Sequence, residues 1–443
     1  MLRLNVDKLK ARTRGCSVFQ TAGILRSVGE TLMVSGTATV GEICMIGDGR
    51  TDSVSGEVIA ASDREARVML FHDAVGLRPG QDVYFTGQRL SVPAGKQLLG
   101  RVLDGLGNPI DGGPPLGRPH INLDSADIPS PMERQRIVKP LVTGQRVIDG
   151  LLTLGKGQRV GLFAGSGVGK STLMGEVVKH AQVNCNVIAL IGERGREVLP
   201  FVQDALGELG RQRSVVIVAT AEEPALMRIQ AARTAVRIAE SFRAEGEDVM
   251  FFLDSITRLA HAQREIGLSR GEPAGTRGYP PSVFRVMAQT LERLGTAGRG
   301  SITGLITVLV DGDDLAEPIS DAARSILDGH IVLSRKLAER GIFPAVDVLG
   351  SVSRLFREIT STEQQRQVTF VRQIMDTYRQ MEELIRMGLY QKGSSAEIDQ
   401  ALQLMPEVQS FCMQGIGESS TLDETLARLR RVAAQSERER RVS

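Results

Sequence analysis

The sequence contains no tryptophan, and aromatic residues make up only 4% of its 443 positions. A stacking surface for single-stranded nucleic acid needs several exposed aromatic side chains, so this composition argues against one. The 54 basic and 52 acidic residues leave a net charge of +2. That balance provides no overall electrostatic attraction to nucleic acid or to anionic lipid, and we expect no nucleic-acid partner.

Cysteines and long apolar runs are also scarce. The four cysteines are scattered, with no CxxC pair and no histidine cluster at metal-ligand spacing, which is typical of a reduced, cytosolic compartment. The first 15 residues, MLRLNVDKLKARTRG, carry charge throughout and lack the apolar core of a signal peptide. No stretch reaches the roughly 18 to 20 uncharged apolar residues that span a bilayer. We therefore expect a soluble, cytoplasmic protein whose contact with a membrane is peripheral or made through a partner.

The length and the changes in composition predict three domains. Short β-branched runs separated by glycines over residues 16–93 are typical of a small antiparallel barrel or sandwich. Residues 100–120 are dense in glycine and proline and indicate a connector. We predict an N-terminal segment and β-barrel over 1–95, a central α/β domain over 96–363, and a helical domain over 364–443.

The central domain alternates apolar runs of strand length with segments of helical periodicity. Strands this apolar are covered on both faces, which favours a mostly parallel, doubly wound sheet. The runs are RVGLFA, NVIALIG, SVVIVAT, VMFFLD and ITGLITVLV.

One of these runs leads into the phosphate-binding loop, residues 165–171, within LFAGSGVGKSTLM. The loop is followed by a helical pattern, and a glycine-rich turn between a strand and a helix places backbone N–H groups around a β-phosphate. Lys170 would reach the β- and γ-phosphates, and Ser171 would ligate Mg²⁺. Ala164 stands where the strict pattern has its first glycine. The predicted nucleotide-binding residues here are Gly165, Ser166, Gly167, Val168, Gly169, Lys170, Ser171 and Thr172.

Two acidic residues follow other apolar runs. Asp254 ends VMFFLD and is a candidate Mg²⁺ ligand, although a helix cap is the alternative for a lone strand-end aspartate. Glu193 follows the run 186–191 and is a candidate for orienting the attacking water. The alternative is a surface glutamate in a capping position that simply pairs with its neighbour Arg194, and spacing does not choose between the two roles. We expect residues 186–192 to form the strand next to the strand of the phosphate-binding loop.

Longer stretches resemble a known family. GERGREV, DSITRLAHAQREIG and ISDAARSILDGHIVLSR resemble the catalytic subunits of the rotary ATPases. Within that family, TGQRVIDGLLTLGKGQRVGLFAGSGVGKS and LIRMGLYQKGSSAEIDQAL resemble the type III protein export ATPases of flagella and injectisomes. The resemblance covers nearly the whole chain. It implies an α/β fold with a RecA-like P-loop core and parallel sheet, an N-terminal small β-barrel and a C-terminal helical domain.

The resemblance also implies roles for individual positions. Lys170 and Ser171 match the residues for phosphate and Mg²⁺, Asp254 the strand-end aspartate, and Glu193 the water-activating glutamate. Arg194 matches the arginine beside that glutamate. Arg354 matches an arginine finger that reaches the γ-phosphate of the neighbouring subunit, with a structural ion pair as its alternative. Phe343 matches an adenine-stacking tyrosine, with a core aromatic as its alternative. Phe411 matches the adenine pocket too weakly to be included.

The leading hypothesis is therefore an Mg²⁺- and ATP-dependent ATPase of a type III export apparatus that works as a homohexameric ring. The resemblance implies a stator-like regulatory partner at residues 1–15, and export chaperones, substrates and export-gate proteins as further partners. The alternatives are the catalytic subunit of an ion-pumping rotary ATP synthase, an RNA translocase like Rho, and a non-catalytic ring component. Rho would require an RNA-binding N-terminal domain with a basic groove. Lys170, Glu193, Asp254 and Arg354 together argue against the non-catalytic component.

Overall fold

The computed structural model describes residues 21–47, 53–117, 119–123, 129–310 and 316–439. The predicted partner site at residues 1–15 lies outside these ranges. No helix in the described ranges is long and apolar enough to cross a membrane.

Six N-terminal strands form a closed antiparallel barrel in the order β1-β2-β5-β4-β3-β6. Side chains alternate along these short strands, so that Leu32 and Val34 point into the barrel core and their neighbours do not. The predicted barrel is confirmed. Its strands are β1 (Thr21–Ser27), β2 (Leu32–Ser35), β3 (Ile43–Ile46), β4 (Val54–Ala61), β5 (Glu65–Leu70) and β6 (Asp82–Phe85).

The glycine- and proline-rich connector contains short strands of its own. β7 (Ser91–Pro93) pairs with β9 (His120–Asn122), and β8 (Val102–Leu103) joins the edge of the central sheet beside β14 (Ser214–Thr220). The connector thus contributes one strand to the central sheet. The predicted domain boundaries, after residues 95 and 363, remain predictions.

The central sheet runs in the order β19-β18-β12-β17-β15-β13-β14-β8. All neighbours from β18 to β8 are parallel, and β19 is antiparallel to β18, which confirms the predicted parallel sheet. β16 pairs with β17, and β10 pairs with β11. The remaining strands are β10 (Pro140–Leu141), β11 (Leu154–Gly155), β12 (Arg159–Ala164), β13 (Cys185–Glu193), β14 (Ser214–Thr220), β15 (Asp248–Asp254), β16 (Gly295–Thr296), β17 (Ser301–Leu309), β18 (Gly329–Leu333) and β19 (Val346–Ser353).

The predicted position of one strand is wrong. Residues 186–192 form β13, but β17 and β15 stand between it and β12, the strand of the phosphate-binding loop. These strands are all buried on both faces, so their apolar patterns carry no information about their order.

The helices cover both faces of this sheet. Along β13, Val187 and Ala189 belong to the core beneath one set of helices, whereas Ile188 and Leu190 belong to the core on the other face. The helices are α1 (Arg146–Leu151), α2 (Lys170–His180), α3 (Gly195–Pro200), α4 (Gly207–Gln212), α5 (Ala225–Ala244), α6 (Ile256–Ser269), α7 (Pro281–Glu292), α8 (Pro318–Ile326), α9 (Arg335–Glu339), α10 (Phe356–Ile359), α11 (Thr362–Arg386), α12 (Ala396–Cys412) and α13 (Leu422–Glu439).

The C-terminal helices pack on the same face as α2. Val368 of α11, Leu404 of α12 and Leu429 of α13 share one buried core with Leu173 of α2. The predicted helical C-terminal region is confirmed. The C-terminal helices thus share a core with α2, the helix that follows the carboxyl end of β12, and ligands bind at the carboxyl ends of the strands in such sheets.

Candidate active site

The phosphate-binding loop joins β12 to α2. Gly167 and Gly169 have φ angles of 78° and 88°, in the left-handed region that favours glycine. A Cβ added to Gly167 would meet nothing within 4 Å, so the loop is open at this residue. Ala164 is buried and still paired with Leu309 as the last residue of β12, and it does not have a positive φ. Its departure from the strict motif therefore costs the loop no conformational freedom.

Lys170 lies between two carboxylates. Its Nζ is 2.5 Å from Asp254 Oδ1 and 3.6 Å from Glu193 Oε1. β13 and β15 are neighbours, and Leu190 pairs with Asp254, so the carboxyl ends of the two strands deliver both acids to the loop. The structure thus brings together three residues that the sequence placed on separate elements.

Glu193 is positioned by a bulge at Gly192. The pairing of β13 with β14 shifts register between Ile191 and Glu193, and Gly192 has a φ of 69°. A Cβ at Gly192 would lie 2.9 Å from Cδ of Arg258. Only glycine therefore allows both this backbone turn and the close approach of that arginine.

The Glu193 carboxyl is buried, and its environment raises its pKa. Burial is the main cause, and the negative charge of Asp254 adds to it, whereas Lys170 and Arg258 lower the pKa. Glu193 Oε2 is 3.6 Å from Arg258 Nη2. Glu193 Oε1 is buried without a hydrogen-bond partner among the described residues, which leaves an acceptor oxygen in the site.

Arg258 is a site residue that the sequence reasoning missed. It lies in the first turn of α6, whose N-cap Ser255 accepts a hydrogen bond from the Arg258 backbone N–H. A cation in the first turn opposes the helix dipole, so an arginine there four residues after Asp254 is a signal for an acidic partner. That partner is Glu193.

Arg194 lies beside the site rather than in its ionic network. Its side chain is 64% exposed, and its Nη1 is 3.6 Å from Glu197 Oε1. The alternative that Arg194 simply pairs with Glu193 does not hold in this structure.

Phe343 contacts the phosphate-binding loop and borders a cavity of about 890 Å³. Its ring atoms lie 3.4 Å from the position of a Cβ on Gly169, and the residue is 44% exposed. The cavity extends from α2 to the end of α12 and is lined in part by Arg146, Thr172, Gln409 and Met413. Its size and the exposed ring fit a nucleotide base.

Gln414 also lines this cavity, and the sequence reasoning missed it as well. Its side chain donates to the carbonyl of Gly144 at 2.8 Å and accepts from the Arg146 N–H at 3.0 Å. Its backbone N–H donates to the Phe343 carbonyl at 2.9 Å. Phe411 is only 2% exposed and packs against Gly150, so it is a core residue.

Arg354 lies at the amino ends of the parallel strands, whereas the phosphate-binding loop lies at their carboxyl ends. It follows β19, whose Ser353 pairs with Gly329 at the start of β18, and its backbone N–H donates to the Asp328 carbonyl. Asp328 in turn binds Arg159, the first residue of β12. At about 3.3 Å per residue, the length of β12 separates Arg354 from its own loop by about 15 Å or more.

Comparisons with known proteins agree with this architecture. Residues 24–87 match the beta-barrel domain and residues 144–353 the nucleotide-binding domain of the ATP synthase alpha/beta family. Residues 360–431 match the T3SS EscN ATPase C-terminal domain.

Relatives align over nearly the whole chain. The flagellum-specific ATP synthase of Bacillus subtilis is 46% identical over 418 residues, which cover 94% of this chain and 95% of the relative. The SPI-2 type 3 secretion system ATPase of Salmonella typhimurium is 44% identical and covers 89% of this chain and 91% of the relative. The assembled ATPase EscN of enteropathogenic E. coli superposes with a TM-score of 0.88 at 40% identity, over 93% of this chain and 100% of that chain.

The fold, the phosphate-binding loop and these comparisons define a P-loop ATPase, and the chain belongs to the ATP synthase alpha/beta family. Within that family it is a type III export ATPase, since both its C-terminal region and its relatives are of that kind.

Proposed function

We propose that the chain hydrolyses Mg²⁺-bound ATP in a homohexameric ring and couples hydrolysis to the release, unfolding and export of protein substrates. The observation that carries this proposal is the convergence of Lys170, Glu193 and Asp254 at the phosphate-binding loop. The export-type C-terminal region favours this function over an ion-pumping synthase and over an RNA translocase.

The residues at the loop fit ATP and Mg²⁺. The open glycine turn and the Lys170 ammonium would hold the phosphates, and Phe343 would stack on adenine. Ser171 and Asp254 would hold Mg²⁺, with the other residues of the loop, Gly165 to Gly169 and Thr172, around the phosphates. Bound Mg²⁺ would supply positive charge to the β- and γ-phosphate oxygens.

Glu193 is suited to act on the attacking water. Its Oε1 is buried without a hydrogen-bond partner among the described residues and faces Lys170 Nζ only at an ion-pair distance of 3.6 Å, so it can accept a hydrogen bond from a water and take its proton. Its raised pKa makes this carboxylate a better base than an exposed glutamate. Arg258 faces the other oxygen, Oε2, at 3.6 Å, and its positive charge favours the ionised carboxylate. Arg194, exposed beside Glu193, is proposed to act on the nucleotide or on the neighbouring subunit.

Arg354 would complete the site of another copy. Its distance from its own loop excludes a role on its own nucleotide, whereas head-to-tail association would place it at a neighbour's phosphates. An arginine finger raises the rate by about 10³ to 10⁵. The site proposed here is therefore shared between subunits.

The partners are proposed from the relatives. EscN has been solved assembled and in complex with its central stalk EscO, and this chain superposes on the latter with a TM-score of 0.85. We extend a ring and a stalk-like partner to this chain. A stator-like regulator at residues 1–15, export chaperones, substrates and the export gate complete the proposal, at the inner face of the cytoplasmic membrane.

The experiment that tests the enzymatic core uses Glu193→Gln. The variant should bind ATP with the wild-type affinity and hydrolyse it about 10² to 10⁴ times more slowly, because a general base contributes a factor of that size. Glu208→Gln is the control, since Glu208 is exposed and its contacts, with Arg211 at 3.8 Å and Gln212 at 2.8 Å, lie within α4. If Glu193→Gln turns ATP over like the wild type, Glu193 is not the water-activating group.

A further inference from the structure

Thr307 lies in the sheet between the two strands that carry the site. It is on β17, where it pairs with Leu162 of β12, and the preceding residue pairs with Leu253 of β15. It is fully buried. Its side chain therefore lies within the sheet beside the site and has no contact with solvent.

The Thr307 hydroxyl binds Asp254. Its Oγ1 is 2.7 Å from Asp254 Oδ1 and 3.1 Å from the Leu253 carbonyl. A hydroxyl has one proton, and a carboxylate is a stronger acceptor than a carbonyl. The shorter contact and the stronger acceptor both assign the proton to Asp254.

Asp254 Oδ1 thus has two donors on different elements: Thr307 on β17 and Lys170 on α2. A bound nucleotide would draw Lys170 toward its phosphates, because the ammonium is the cation nearest to them. Thr307 would then be the donor left on Oδ1. Asp254 is only 3% exposed, so bulk water has little access to replace it.

We propose that Thr307 is a positioning residue that fixes the orientation of the Asp254 carboxylate toward Mg²⁺ when Lys170 has moved to the phosphates. The terminal torsion of an aspartate is soft, so a carboxylate without a fixed donor would rotate. This inference rests on the proposed function of the site in binding Mg²⁺ and ATP.

The test compares Thr307→Val with Thr303→Val. Both threonines are buried on β17, and each makes its own hydrogen bond, since Thr303 accepts from the Gly157 N–H at 2.8 Å. The two residues are about 13 Å apart along the strand, so only one of them touches the site. Valine keeps the shape of threonine and removes the hydroxyl in both variants. Thr307→Ser restores the hydroxyl.

The readout is the affinity for a fluorescent ATP analogue, measured in EDTA and again in Mg²⁺, together with the thermal unfolding of each variant. In Thr307→Val the increase in affinity from EDTA to Mg²⁺ should be about tenfold smaller than in the wild type, because a hydrogen bond to a charged group is removed. The affinity in EDTA should be unchanged. Thr303→Val should keep the full gain from Mg²⁺ even if it unfolds at a lower temperature. Thr307→Ser should recover most of the loss.

The role of Thr307 is overturned if Thr307→Val and Thr303→Val gain equally from Mg²⁺, or if Thr307→Ser is as impaired as Thr307→Val. If the nucleotide affinity of the wild type is the same in EDTA and in Mg²⁺, the proposed function itself is overturned, and this inference falls with it.

Discussion

Lys170 faces two carboxylates in the structure, so at the residue scale the phosphates of ATP must compete with Asp254 for its ammonium group. All three side chains are largely buried, and a buried charge that loses its partner is costly. The ionic network therefore holds the site together, and the phosphates must replace Asp254 as the partner of Lys170.

Lys170→Ala should abolish tight ATP binding, because it removes the cation for the β- and γ-phosphates. It should also lower the free energy of unfolding by about 3 kcal/mol, since Asp254 and Glu193 would be left without their shared cation. Nucleotide binding and chemical denaturation measure the two effects. Lys156→Ala is the control, because this lysine pairs with Asp248 at 2.7 Å, at the opposite end of β15 from Asp254. Equal nucleotide binding by the two variants would contradict the assignment of Lys170.

Asp149 gives a residue-scale prediction about pH. Burial raises the pKa of this carboxyl to about 7, against the opposing effect of donors from Thr143 and Gly144. Between the ordinary aspartate pKa and about 7, the folded state keeps a proton that the unfolded state releases. Stability is therefore lost as the pH rises, with a slope of at most about 1.4 kcal/mol per pH unit.

Asp149→Asn removes this titration, although its amide adds a cost that does not depend on pH. The difference in denaturation midpoint between the wild type and this variant, measured from pH 4.5 to 7.5, should shift steadily in favour of the variant. Asp376→Asn, at an exposed residue of α11, serves as the comparison. A difference that stays constant across this range would show that Asp149 titrates alike in both states.

Single residues of the site were predictable where a motif carried them. The strand, glycine turn and helix pattern located Lys170 and the loop, and the strand ends located Asp254 and Glu193. Arg258 and Gln414 were not predicted because their partners lie far away in sequence. The partner of Arg258 is Glu193 on another element, and that of Gln414 is Gly144 before α1. The sequence shows neither contact before the fold is known.

The bulge of β13 is the feature that matters most at the scale of secondary-structure elements. It turns the end of a straight buried strand so that Glu193 reaches Lys170, and it occurs at Gly192. Strand content was predictable from apolar runs, but strand order was not, because β12, β15, β17 and β13 are equally buried. The bulge was not predicted for a similar reason, since an isolated glycine in an apolar run can mark a bulge, a bend or a close approach of another chain segment.

Gly192→Ala should lose most of the ATPase activity. The alanine Cβ would clash with Arg258 and a positive φ would strain it, so the bulge must move and carry Glu193 with it. Gly246→Ala is a matched control, because Gly246 has a φ of 91° but nothing within 4 Å of an added Cβ. Both variants should lose about 1 to 2 kcal/mol of stability from the left-handed backbone. Equal ATPase rates in the two variants would contradict a role for the bulge in positioning Glu193.

At the scale of the whole molecule, the two halves of the proposed site lie at opposite ends of the strands of one sheet. Lys170, Glu193 and Asp254 are at the carboxyl ends of the strands, and Arg354 is at the other end, beside Asp328. A single copy has both halves but no means of joining them. The resemblance to rotary ATPases predicted the role of Arg354, and the register of β18 and β19 supplies a physical reason why that role needs a neighbour.

The most direct test of this shared site is the ATPase rate of a mixture of Lys170→Ala and Arg354→Ala subunits. Each variant alone should be nearly inactive, because every interface lacks one of the two residues. In an equal mixture that assembles at random, about one interface in four would combine an intact loop with an intact finger. The account predicts that about a quarter of the wild-type rate returns on mixing.

A mixture of Lys170→Ala and Glu193→Gln should recover nothing, since those residues belong to the same half of the site. A mixture of Lys170→Ala and Arg354→Ala that also stays inactive, or an Arg354→Ala variant with the wild-type rate, would contradict a site built between two subunits.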